Sequence, residues 1–228
     1  MYHIDRFENH DELVTHMGFI FSCQNPRCRF RFPDGSLSDV HHCPKCGGPL
    51  QIIETQAQPI LSENNEKVSN PVIDLLLDNI RSAYNVGAII RTANAVGVQQ
   101  LHFLGITPTP DNPKVQKTAL GSTFGDNWRQ YWSYTEFLSV IDRSSYDIYC
   151  LEGGSNSQPL FDLQLDQRRR YVLVLGNERN GVDPLIMREC DAVVHLPMLG
   201  SKTSLNVSVA CGIALYWIRF IAPKKSDK

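Results

Sequence analysis

Two close cysteine pairs are the first residues in this chain whose types and spacing imply chemistry. Cys23 and Cys28 are separated by four residues; after a gap of fourteen come Cys43-Pro44-Lys45-Cys46, then Gly47 and Gly48. Each pair can fold into a tight turn that aims two sulfurs at one point. Two such turns complete the tetrahedral thiolate site that Zn2+ takes, with Zn–S distances of ~2.3 Å. The glycines supply the positive φ values such turns need. Four thiolates leave no open position, so the expected zinc is structural, not catalytic. A module this small has too little core to fold alone, and the metal would supply most of its stability. His41 and His42 read as surface neighbours of the site. Arg27, Arg29 and Arg31 alternate with Phe30 and Phe32. In a strand the arginines would share one face, equally compatible with binding nucleic-acid phosphates and with a solvated face over a small core.

Three later segments carry polar residues that neither a core nor a plain surface explains. The first runs Asp78-Asn79-Ile80-Arg81-Ser82-Ala83-Tyr84-Asn85-Val86-Gly87 and on to Arg91; it leaves a strand and opens a helix, with Asn85 near the N-cap. The second is Leu175-Gly176-Asn177-Glu178-Arg179-Asn180-Gly181, a strand end with two glycines bracketing a carboxylate. The third is Leu196-Pro197-Met198-Leu199-Gly200-Ser201-Lys202-Thr203-Ser204-Leu205-Asn206-Val207-Ser208. Here a strand, a polar loop and a helix start offer several backbone and hydroxyl groups to a ligand. Gly200–Ser204 lacks the Gly-Lys-Ser/Thr order of a phosphate loop, and no Gly-x-Gly-x-x-Gly dinucleotide fingerprint exists. Ligands of open α/β sheets bind at the carboxyl ends of strands, where all three segments would lie.

The elements that must position these turns begin at Pro71. Strands are expected over 72–77, 100–104, 147–151, 171–175 and 192–196, and helices over 86–97, 112–120, 134–143, 184–190 and 205–221. Alternating strands and helices, with nearly continuous apolar strands, specify an α/β fold with a mainly parallel sheet covered on both faces. Residues 1–55 form a zinc-ribbon module, 56–70 a polar linker and 71–228 the catalytic domain. The formal net charge of −2 and charged content of 20% neither require nor exclude a nucleic-acid partner. No apolar run reaches the ~20 residues of a membrane span, and the charged N-terminus lacks a secretory core, so a cytoplasmic protein is expected. Seven cysteines, an odd number, argue against a disulfide framework there, and Cys150, Cys190 and Cys211 read as small core residues. Arg168-Arg169-Arg170 is either an addition to a basic face or a solvated turn.

Taken in order, the three segments resemble the SpoU (TrmH-like) family of RNA ribose 2′-O-methyltransferases, within the SPOUT superfamily, over roughly residues 71–220. The Leu-Pro-Met…Gly…Ser-Leu-Asn-Val-Ser-Val-Ala run is the most specific part. The resemblance implies S-adenosyl-L-methionine as methyl donor, a deep trefoil knot near the C-terminus and a homodimer whose sites form across the interface. Arg91 then matches the arginine thought to draw the proton from the ribose hydroxyl, and Asn85 the asparagine that positions the reacting group. Glu178, Ser204 and Asn206 match the polar residues around the site, the last two also near the cofactor. Gly176, Leu196 and Leu205, with Leu175 and Met198 beside them, match the cofactor-holding positions. The implied partner is RNA, tRNA or large-subunit rRNA. An N-terminal zinc ribbon departs from the family's commoner N-terminal extension. A catalytically inactive RNA-binding protein of the same fold is the alternative.

Overall fold

The computed structural model describes residues 18–34, 41–56, 71–166 and 168–223. The charged N-terminus and nearly all of the expected linker lie outside them. The chain divides into two compact units, Met1–Glu66 and Lys67–Lys228. Among the described residues no helix is long and apolar enough to cross a membrane.

In the first unit β1 (Gly18–Cys23), β2 (Arg31–Asp34) and β3 (Leu50–Gln56) form an antiparallel sheet in the order β2-β1-β3. Buried Phe21 stacks on Phe32 at 5.6 Å, and Phe32 stacks on Phe30 at 5.5 Å. The phenylalanines therefore share a face, as alternation requires. The arginines do not. Only Arg31 lies in the strand, opposite Ser22. Arg29 precedes it with φ +50° and donates from Nε to the Pro26 carbonyl at 3.1 Å, so it belongs to the knuckle turn. All three arginines are exposed.

The second unit is built on a seven-stranded parallel sheet: β4 (Val72–Asp78), β5 (Gln100–Leu104), β6 (Trp128–Tyr131), β7 (Tyr146–Leu151), β8 (Gln158–Pro159), β9 (Arg170–Leu175) and β10 (Ala192–His195). The strand order is β6-β5-β4-β9-β7-β10-β8. Strand alternation sorts the core onto two faces. Ile73, Leu75 and Leu77 of β4 and Tyr171, Leu173 and Leu175 of β9 meet α1 (Ala83–Ala95), α2 (Pro113–Ala119) and α5 (Val207–Tyr216). Leu76, Val172 and Val174 point the other way, against α3 (Tyr134–Leu138) and α4 (Pro184–Glu189). Helices thus cover both faces, as expected. Cys150 and Cys211 are buried in these cores and Cys190 packs against one of them.

Several local expectations shift for identifiable reasons. Ser82, not Asn85, caps α1: its hydroxyl accepts the Asn85 N–H, which puts Asn85 in the first turn. α3 ends at Leu138 instead of Arg143, because Asp142 gathers the N–H and hydroxyl of Ser144 into a turn of its own. The last helix starts at Val207, capped by Asn206, and its end widens into a π turn over Trp217–Ile221. β6 was not anticipated. As an edge strand it keeps Arg129 and Gln130 exposed, which hides the strand pattern. The Arg168–Arg170 run is engaged within the unit: Arg169 meets Asp147 at 2.6 Å, Arg168 meets Asp166 at 3.0 Å, and Arg170 lies over the Tyr146 ring.

Candidate active site

The three polar turns converge at the carboxyl edge of the parallel sheet because β4, β9 and β10 all end there. β4 and β9 are direct neighbours, so the turn after Leu175 stands beside the turn that opens α1. Glu178 closes the gap. Its Oε2 accepts the Arg81 N–H at 2.9 Å, and its Oε1 accepts the Ser82 N–H at 3.0 Å and the Asn85 amide at 2.9 Å. The Ser82 N–H belongs to the N-cap of α1 and the Arg81 N–H to the residue before it, so the carboxylate sits at a helix start, where negative charge is favoured. Partial burial opposes ionisation of Glu178, but the donors from Arg81, Asn85 and Ser82 outweigh it and hold the carboxyl below the usual range.

The third segment joins through Asn206. Its Oδ1 accepts the Ser208 N–H at 2.9 Å, which forces its amide nitrogen outward to donate to Asn85 Oδ1 at 3.1 Å. Asn85 in turn donates to Glu178. The amides therefore form a directed chain from Asn206 through Asn85 to a carboxylate, each orientation set by the previous one.

Beside this chain lies a cleft of about 630 Å³, within the range of small-molecule sites. Leu175, Gly176, Glu178, Leu196, Met198, Ser204, Leu205 and Asn206 all line it. Apolar walls, glycine backbone and a carboxylate at the rim suit a ligand with a flat base, a sugar and a positive centre. Gly176 is required by packing: a Cβ there would fall 2.2 Å from the Val182 nitrogen and 2.3 Å from the Gly181 carbonyl carbon. Arg91 is not in the cleft. Six residues beyond Asn85, it sits about 120° around α1 on the exposed crest of the helix, its side chain without a hydrogen bond or ion pair to any described residue.

The sequence reading missed the wall supplied by β7. Glu152 Oε2 accepts the Val182 N–H at 3.0 Å and so holds the Glu178 turn from behind, while Gly153 and Gly154 line the cleft. Glu-Gly-Gly after a strand was the available signal, but only strand order puts β7 beside β9 and β10. His195 was missed too. Its Nδ1 lies 2.8 Å from the Ser157 hydroxyl, and the ring lines the cleft.

In the first unit the sulfurs of Cys23, Cys28, Cys43 and Cys46 lie within 4.8 Å of one another. Sulfurs at ~2.3 Å around tetrahedral zinc stand about 3.8 Å apart; Cys23–Cys46 is 3.5 Å and Cys28–Cys43 is 3.8 Å. The Gly48 N–H, with Cys23 and Cys28, draws the Cys46 thiol down to about 7, while burial pushes Cys23 up to about 12 and Cys28 up as well. A Cβ at Gly48 would approach both the Cys23 and Cys46 sulfurs at 3.3 Å. The donor set fits zinc. His41 and His42 are exposed and outside the cluster.

Residues 73–216 match the model of the SpoU rRNA methylase family. The chain belongs to that family. It is 31% identical over 159 residues to a 23S rRNA (guanosine-2′-O-)-methyltransferase of Coxiella burnetii, covering 68% of this chain and 60% of the relative. Its counterpart in Blochmanniella floridana is 35% identical, covering 72% and 66%. The chain thus spans about two thirds or less of the length of these SpoU relatives. Among solved structures, an AdoMet-bound rRNA methyltransferase from Sinorhizobium meliloti superposes with a TM-score of 0.61 at 26% identity, covering 67% of this chain and 57% of that one. The A. aeolicus TrmH/SpoU tRNA-modifying enzyme gives 0.56 at 28% identity, covering 67% and 76%.

Proposed function

We propose that this protein is an S-adenosylmethionine-dependent methyltransferase that modifies the ribose 2′-hydroxyl of a nucleotide in tRNA or rRNA. The observation that carries the proposal is the convergence of three separated segments on Glu178 at the rim of one cleft. Bound S-adenosylmethionine would supply an activated methyl group. Leu175, Leu196, Met198 and Leu205 would enclose its base and ribose, and Gly176 would let backbone approach closely. Asn85, oriented by Asn206 and Glu178, would hold the acceptor ribose in line, which is where much of the rate gain of such a transfer arises. Arg91 would serve the hydroxyl or its adjacent phosphate.

The position of Arg91 supports a homodimer. Val209, Ile213, Tyr216 and Phe220 form an exposed apolar stripe along α5 and the turn that extends it, at spacings of four, three and four residues. Exposed Tyr84 shares the α1 crest with Arg91. A second copy covering the stripe would bring another chain's site to Arg91. The trefoil knot, the structural zinc at the four cysteines, and a cytoplasmic setting in which thiols stay reduced, belong to the same reading. So does RNA contact by residues 1–55.

Incubating the protein with labelled S-adenosylmethionine and total RNA tests the activity. Label in the ribose 2′-position is expected; RNA binding without label would leave a non-catalytic binder. Arg91→Ala should abolish transfer while leaving cofactor affinity within a few-fold, and a fully active variant would remove Arg91 from the chemistry.

A further inference from the structure

Beyond the cleft, the carboxyl edge of the sheet continues over β4, β5 and β6, and its surface is unlike an ordinary rim. Trp132, directly after β6, is 77% exposed, and Ile106, after β5, is 66% exposed. Large aromatics are usually well buried. A tryptophan held bare beside a bare isoleucine needs a reason.

Backbone stitching puts the two in a row with the site. The Gly105 N–H donates to the Tyr131 carbonyl at 2.9 Å, and the Asn79 N–H to the Leu104 carbonyl at 3.2 Å. Asn79 then works in both directions. Its Oδ1 accepts the Ile106 N–H at 3.2 Å, and its carbonyl accepts the Asn177 amide at 2.7 Å, one residue before Glu178. Asn79 and Gly105 both adopt positive φ, +52° and +59°, to make this junction, and a Cβ on Gly105 would collide with the Asn79 side chain. The edge is thus rigid. From β6 to β9 it spans three strand spacings, about 14 Å, the reach of a few nucleotides. Arg81 and Arg179 are exposed along it. The acidic neighbour at the far end, Glu136, has its carboxylate engaged by the Trp132 N–H at 2.8 Å.

We propose that this edge is a track for the single-stranded RNA flanking the target nucleotide, with Trp132 stacking a base and Arg81 and Arg179 meeting phosphates. The inference rests on the proposed RNA substrate and adds where the strand runs. Stacking on an aromatic face tolerates any base, and cations along a groove follow the backbone. Continuity with the cleft selects RNA over a protein partner.

The test is a fluorescence-anisotropy titration of the full chain with labelled single-stranded uridine and adenosine 12-mers, beside a separate calorimetric titration with S-adenosylmethionine. Trp132→Ala should weaken oligonucleotide binding about 5- to 100-fold, the range of one base–aromatic stack. Trp132→Phe should recover most of it, and both should bind S-adenosylmethionine as the parent does. Arg81→Gln should reduce the slope of log affinity against log salt by about 0.7. Parent-like affinity in Trp132→Ala, or no oligonucleotide binding by the parent protein, overturns the track. Failure of the parent to bind S-adenosylmethionine instead overturns the methyltransferase reading, whatever the oligonucleotide result.

Discussion

Replacing Glu178 probes the joint on which the site depends. Its carboxylate receives three donors, two from the start of α1 and one from Asn85. Each such bond is worth about 0.5–1.5 kcal/mol net. The side chain is exposed, so water recovers part of the loss, and Glu178→Ala should cost about 1–3 kcal/mol. For a domain of this size that lowers the midpoint by roughly 2–4 °C per kcal/mol. Glu178→Gln is the sharper variant. It keeps the shape, yet presents an amide N–H to a backbone N–H on one side. It should cost about as much as alanine, and both should weaken S-adenosylmethionine binding at least ~10-fold, since the cleft loses the carboxylate at its rim. The folded carboxyl is depressed, so its contribution is present above the ordinary carboxylate value and fades as pH falls through the lower folded one. The difference between parent and Glu178→Gln should therefore shrink in acid. Calorimetric melts from pH 7 down to 3, with isothermal cofactor titrations at pH 7, measure both effects. A glutamine variant with unchanged midpoint and cofactor affinity would refute the role given to this joint.

Gly176→Ala places a methyl group against the backbone of Gly181 and Val182. It should destabilise the second unit and abolish cofactor binding, seen as a lowered melting midpoint that added S-adenosylmethionine no longer raises. Elemental analysis of the purified chain should return one zinc. Chelation or Cys43→Ser should release it and unfold the first unit, with loss of its amide protection in hydrogen exchange, while the parallel-sheet unit keeps its own. Deleting residues 1–55 should raise the KM for RNA far more than it changes cofactor affinity; an unchanged KM would point to a folding or dimerisation role for the ribbon.

Local chemistry was legible in the chain before any coordinates. The two cysteine knuckles marked a candidate metal site, because thiolate geometry depends on spacing within a few residues. Five of the sheet's strands could be read from continuous apolar runs, since a strand buried on both faces has no other composition open to it. Glu178, Ser204 and Asn206 stood out because polar residues at strand ends have few structural uses, whereas Gly176 and Leu205 came from the resemblance to the SpoU family. Properties that depend on which strand lies beside which were not legible. Nothing near Glu152 announces that β7 adjoins β9, so its hold on the Glu178 turn stayed hidden. β6 was concealed by its exposed Arg129 and Gln130, and with it the bare face of Trp132. The helix expected from Val86 starts at Ala83 under a Ser82 cap, a shift of three residues that only backbone dihedrals reveal. The side on which Arg91 stands follows from the packing of α1 against α2 and α5, which turns that arginine away from the cleft its own chain builds. Spacing along a chain determines which groups can meet locally; the order of strands determines which distant groups do, because hydrogen-bonded neighbours in a sheet are chosen by the whole core at once.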